Sequence, residues 1–119
     1  MLAWLDGEQP AMARIEQVLK DRPLMSWVNA VEVHYRVERD HGRDEADTVL
    51  AGMRRNIGLD LPGTSLMIAT ARLKSAMPIA LADCFAIATA HSHGLTLLTG
   101  DPEILHRDVP CPVEDLRAS

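Results

Sequence analysis

At 119 residues the chain is long enough for one continuous core, and with 47% apolar but only 3% aromatic residues that core must be aliphatic and methionine-rich. A formal net charge of −5 excludes general electrostatic attraction to nucleic acid and leaves only a local basic patch for such contacts. Cys84 and Cys111 lack CxxC spacing, and neither a signal-peptide pattern nor a membrane-length apolar run is present, so a soluble protein of the reducing cytoplasm with free thiols is expected.

"MLAWLDGE" reads as the tail of a helix with no strand before it. Residues 10–21 follow as a helix, with Pro10 in the first turn and Met12, Ile15, Val18 and Leu19 along one stripe. "PLMSWV", 23–28, is a short apolar run suited to a buried strand, and "NAVEVHYRVERDHG", 29–42, is a helix that Gly42 can close. "RDEADTVLAGMRRN", 43–56, puts Ala46, Val49, Leu50 and Met53 on one face and reads as a second amphipathic helix. A strand at 57–61 ends at Pro62-Gly63, and a helix runs from Thr64 to about Met77. Pro78 opens a helix through "ALADCFAIATA" that Gly94 closes. "LTLLT", 95–99, is a buried strand, after which Asp101 caps a short helix with Pro102 in its first position. "VPCPV", 109–113, has two prolines and fits only an edge strand or an extended tail. Strands alternating with helices predict one α/β domain over residues 1–119 with a mostly parallel sheet, whose sites form at the carboxyl ends of the strands.

Three carboxylates stand out. Asp83 lies among Ile79, Ala80, Ala86, Ile87 and Ala90, so it has apolar company on whichever side it points; an unpaired buried carboxylate costs several kcal/mol or takes up a proton. Glu32 has Arg36 four residues on, the favourable order for a helical ion pair of about 0.2–0.5 kcal/mol. Asp101 has the position of a helix cap, worth about 1 kcal/mol. Each alone has a structural explanation.

Together they sit in segments with a known pattern. "SWVNAVEVHY", "PIALADCFAIATAHSHG" and "LTLLTGDPEIL" resemble the characteristic segments of PIN-domain nucleases, in particular the VapC-type toxins of bacterial toxin–antitoxin pairs, and "LAWLDGEQPAMARIEQVL" is similar to the first two helices of that family. The most specific element is the ADxxxxATA helix joined to a strand ending in T-x-D, with eighteen positions from Asp83 to Asp101. The resemblance implies a three-layer α/β/α domain that cuts single-stranded RNA with Mg²⁺ or Mn²⁺ held by Glu32, Asp83 and Asp101, with Thr99 and Asn29 as supporting polar positions. It also implies a cognate antitoxin and a homodimer formed through the first helices. Hard divalent cations choose carboxylate oxygens, which fits independently and gives Asp83 a reason to stay ionised.

The pattern departs from the family at its start. The family has a further acid at the end of a first, central strand, and here Met1 falls after that point, so the strand and its Asp are expected to be missing; Asp6 reads as a surface turn and does not replace it. Three explanations compete: a start assigned too late by about ten residues, one short strand's worth; a genuine truncation; or a strand supplied by another chain. The absent acid predicts weak or no cleavage by the 119-residue chain, and the alternative to the nuclease reading is an impaired PIN-like module that binds RNA or an antitoxin without cutting. The remaining features point elsewhere weakly. His91 and His93 lie two apart and have no second ligand pair for zinc, a haloacid-dehalogenase-type phosphatase would need a D-x-D motif that is lacking, and Trp4, Trp27 and Tyr35 are too scattered to stack bases. Arg36, Arg39, Arg43, Arg54 and Arg55 could form an RNA-facing rim.

Overall fold

A computed structural model describes residues 2–3 and 23–116; the expected helix at 10–21 and the Asp6 turn lie outside the described residues. In chain order the elements are β1 (Leu2–Ala3), β2 (Leu24–Ser26), α1 (Trp27–His41), α2 (Arg43–Asn56), β3 (Gly58–Asp60), α3 (Thr64–Ala76), α4 (Leu81–Ser92), β4 (Leu97–Thr99), α5 (Pro102–Leu105) and β5 (Val113–Asp115). All pairings are parallel: β2 with β3, and β4 with both β1 and β5. The mixed α/β class with a parallel sheet is as the alternation of elements predicts. None of the described helices is long and apolar enough to cross a membrane.

The beginning of the sheet corrects the sequence. Where a helix tail and a missing first strand are expected, Leu2 and Ala3 form a short strand, in register with Leu98 and Thr99 and lying also against β2. Two residues are too few to show alternation. This strand is defined by its partner across the sheet rather than by its own pattern.

Local chemistry sets the other boundaries. β2 stops at Ser26 because the Ser26 Oγ accepts from the Val28 backbone N–H at 3.3 Å and caps α1, drawing Trp27 and Val28 out of the expected strand. Gly42, at φ 92°, ends α1 in a conformation that side chains rarely adopt, and α2 begins at the next residue. Acids (Asp44, Glu45) open α2 and arginines (Arg54, Arg55) close it, each matching the helix dipole. The last strand is Val113–Asp115 rather than 109–113: Pro110 and Pro112 cannot donate to a ladder, so pairing with β4 begins only after them, at the sheet edge.

The core runs through the middle of the chain. Met25, Ala30, Val33, Met53, Ile57, Ile79, Cys84, Ala86, Ile87, Ala90, Leu97, Leu98, Ile104 and Leu116 form one buried cluster. α4 is its axis. Between Asp83 and Ala90 only Phe85 retains appreciable exposure, because α4 packs against α3, α1, β2 and β4. The alanines of "ALADCFAIATA" let those neighbours approach closely, and the Thr89 hydroxyl is satisfied within the helix by the Phe85 carbonyl at 2.7 Å.

Candidate functional site

The site grows from the point where β2 turns directly into α1. Three residues past the Ser26 cap, Asn29 is completely buried, and its Nδ2 donates to the Ala82 backbone carbonyl at 2.9 Å. That bond ties the first turn of α1 to the first turn of α4 and fixes which end of the amide is oxygen. The Asn29 Oδ1 is then left buried with no hydrogen-bond partner. Buried acceptors are rarely left so, because the lost hydration costs about 1–3 kcal/mol. An orphaned carbonyl-type oxygen suits a proton donor or a hard cation.

Next to the carbonyl that Asn29 holds, Asp83 stands in the first turn of α4 and is only 8% exposed. The positive end of the helix dipole favours an ionised carboxylate there. Glu32 lies one turn along α1 from Asn29, at i+3 and therefore on the same side of the helix. It is half-buried, and its Oε1 accepts from the Arg36 Nη2 at 2.9 Å, the ion pair that the i, i+4 spacing predicts.

At the end of β4, Thr99 is buried and its Oγ1 accepts from the Asp101 backbone N–H at 3.0 Å. Asp101 in turn caps α5: its Oδ1 accepts from the Glu103 backbone N–H at 2.9 Å, with Pro102 in the first helical position. Two of the three described ladders finish on polar pairs, Ser26 opposite Asp60 in one and Thr99 opposite Asp115 in the other. Asp115 escapes a reading of the sequence, since only the shift of β5 past its prolines places it beside Thr99. Asp60 contacts His93, 3.3 Å away, and His91 shares a 2.7 Å hydrogen bond with the Pro110 carbonyl.

The structure therefore joins Asn29 to the α4 turn that carries Asp83, sets Glu32 beside Asn29 on α1, and holds Asp101 on the far end of β4. It does not gather the three acids: among the described residues no group of three or more His, Cys, Asp or Glu is close enough to hold a metal ion. The donor types fit a hard divalent cation, since carboxylate oxygens and the free Asn29 oxygen are what Mg²⁺ or Mn²⁺ takes. In the arrangement seen, however, Glu32 and Asp101 spend oxygens on Arg36 and on the α5 backbone.

The basic residues of α1 and at the start of α2 are similarly engaged. Arg39 grips Asp40 through two bonds, at 3.0 and 3.3 Å, and lies over the Tyr35 ring, while Arg43 reaches Glu38 at 3.9 Å. The Asp40 carboxyl is held below its ordinary range by the hydrogen bond from Arg39. Cys84, next to Asp83, is buried, and that burial raises its thiol pKa, with the Asp83 charge adding to the effect.

A helix that leaves a parallel strand with a buried amide in its first turn, bonded to the first turn of a second helix that carries a buried carboxylate, defines an α/β protein with a polar, acid-bearing site. The chain belongs to the PIN domain family, which matches residues 1–110. No curated protein matches the sequence. Among solved structures the fold is similar to DNA-bound VapBC from Salmonella typhimurium, with a TM-score of 0.73 and 17% identity over 98% of this chain and 99% of that one. VapBC2 from Rickettsia felis, bound to a DNA fragment from its promoter, gives 0.72 and 13% over 97% and 98%. VapBC-1 from nontypeable Haemophilus influenzae gives 0.68 and 12% over 97% and 96%. At such identities the likeness is one of fold.

Proposed function

We propose that residues 1–119 are a single PIN-like domain acting as a metal-dependent endoribonuclease on single-stranded RNA, the toxin of a type II toxin–antitoxin pair. The observation that carries this reading is the PIN family match over residues 1–110, which spans the segments holding Glu32, Asp83 and Asp101. The likeness in fold to VapBC proteins supports an antitoxin as the partner. A cytoplasmic homodimer is the expected working form.

In this reading Glu32, Asp83 and Asp101 hold Mg²⁺ or Mn²⁺, which when bound supplies an activated water and offsets charge on the phosphate and leaving oxygen. The protein's own residues set the stage. Asn29 offers its unpartnered, buried Oδ1 to a small proton donor such as a bound water, while its other end locks α1 to α4. Thr99 orients Asp101 by accepting its backbone N–H, so that the second carboxylate oxygen of Asp101 is left to turn toward the site. The Asp83 carboxylate has little freedom to wander, because the helix that carries it is packed on nearly every side.

The competing reading, an impaired module that binds RNA or an antitoxin without cutting, draws on the fact that the described acids do not converge. One experiment separates the two. Purified protein is incubated with a fluorescent single-stranded RNA in Mn²⁺, in Mg²⁺ and in EDTA, alongside Asp83→Asn. Metal-dependent cutting that is lost in the variant, by about 100-fold or more as expected when transition-state charge stabilisation is removed, supports the nuclease. Cutting that survives in Asp83→Asn refutes the assignment. RNA retention with no cutting in either metal establishes the binding module.

A further inference from the structure

The Glu32–Arg36 pair differs from its neighbours on α1. At 2.9 Å it is the shortest arginine–carboxylate contact among the described residues, and its side chains are 28% and 38% exposed. The Arg39–Asp40 pair is 55% and 53% exposed, and the Arg43–Glu38 pair, at 3.9 Å, is 89% and 44% exposed. The tightest and most sheltered arginine on α1 is therefore the one bound to the carboxylate one turn along from Asn29.

From this we infer that Arg36 is a built-in counter-ion for Glu32, a positioning residue that a divalent cation must displace before Glu32 can join the site. The inference rests on the reading of Glu32 as a metal-holding acid. Glu32 can offer its Oε1 to a cation only by giving up its bond to Arg36. While no metal is bound, the neighbouring guanidinium supplies Glu32 with a counter-charge. The same guanidinium opposes the incoming dication, both by holding an oxygen and by its charge. Arg36 thus stabilises the empty site and weakens the filled one. Once displaced it stands free on α1, because Asp40, one turn further on, is already taken by Arg39.

The displaced pair is partly exposed, and such pairs contribute at most about 1 kcal/mol, so its removal is worth a factor of about two to five in metal affinity. The test measures Mn²⁺ binding alone, by the loss of the free-ion electron paramagnetic resonance signal, with no RNA and no turnover. Arg36→Gln is expected to bind Mn²⁺ about two- to fivefold more tightly than wild type, and raised salt is expected to shrink the difference. Arg36→Lys, which keeps the charge, should fall between the two. Glu32→Gln should bind more weakly, and Arg36→Gln should then add less than it does in wild type, since the part of its effect that passes through Glu32 is gone. Equal or weaker binding by Arg36→Gln, with Glu32→Gln impaired, overturns the inference and leaves Glu32 as a ligand. Unchanged binding by Glu32→Gln overturns the ligand reading and the inference with it. Circular dichroism melting checks that each variant is folded, and a variant that fails to fold is replaced by Arg36→Met.

Discussion

Replacing Asn29 by alanine tests the orphaned oxygen directly. A completely buried asparagine with all its bonds made is costly to truncate: one hydrogen bond is worth about 1 kcal/mol net, lost packing costs about 1 kcal/mol more, and partner groups left unpaired add about 1–3 kcal/mol each. Here the balance differs. The Ala82 carbonyl lies in the first turn of α4 and keeps its helical acceptor role, so little is stranded on that side. Meanwhile removal of Oδ1 relieves a buried acceptor that has no partner, returning about 1–3 kcal/mol. The two sides nearly cancel, and Asn29→Ala should change the unfolding free energy by no more than about 1 kcal/mol in either direction. Asn29→Asp should behave in the opposite way, because a buried carboxylate facing the Ala82 carbonyl oxygen has no donor, and a loss of about 3 kcal/mol or more is expected. Urea denaturation in EDTA, followed by far-ultraviolet circular dichroism, measures both. A loss above about 3 kcal/mol in Asn29→Ala would mean that Oδ1 is fully bonded in the native protein, and the argument for an acceptor kept available would fail.

Two further outcomes follow. Asp101 has a structural duty as well as its proposed chemical one, and the two are separable. Asn caps helices as well as Asp does, so Asp101→Asn should keep stability within about 0.5 kcal/mol of wild type while RNA cutting falls, whereas Asp101→Ala should lose both cutting and about 1 kcal/mol; normal cutting by Asp101→Asn refutes its proposed role. Cys84 should resist alkylation by iodoacetamide at neutral pH in the native protein and react once unfolded in urea, as read by mass spectrometry, and rapid native labelling would contradict its burial. The sign of its pH effect is also fixed: burial raises the folded pKa above the unfolded one, so its stabilising contribution is full below the ordinary thiol pKa and is lost as pH climbs above about 9.

The sequence announces those parts of the fold that carry their own punctuation. α2 has the expected bounds because Gly42, the leading acids and the trailing arginines all mark them within a few residues. Asp101-Pro102 marks α5 in the same way. Boundaries that depend on distant partners are not written locally. β1 exists only through Leu98 and Thr99, β5 begins where Pro112 ceases to obstruct pairing, and the helix of Asp83 starts at Leu81 rather than Pro78. The candidate site divides along the same line. Residue type draws notice to Glu32, Asp83 and Asp101, the resemblance to PIN domains joins them and adds Asn29 and Thr99, and spacing alone announces the Arg36 pair and the Asp101 cap. That Asn29 reaches Ala82, 53 residues away, and leaves its oxygen unmatched is a property of the packed chain.

The character of α4 has a consequence for how this protein can change. The helix that fills the interior is also the one that presents Asp83, and three of its seven buried residues are alanines. A single added methyl group at Ala86, Ala88 or Ala90 therefore has nowhere to go except against the sheet or a neighbouring helix, and it moves the carboxylate as it does so. In the proposed function, packing of the interior and placement of Asp83 therefore depend on the same helix. Evolutionary drift in the interior and tuning at the strand ends cannot proceed independently, and variants that run well only at low temperature should be found along this short stretch before anywhere on the surface.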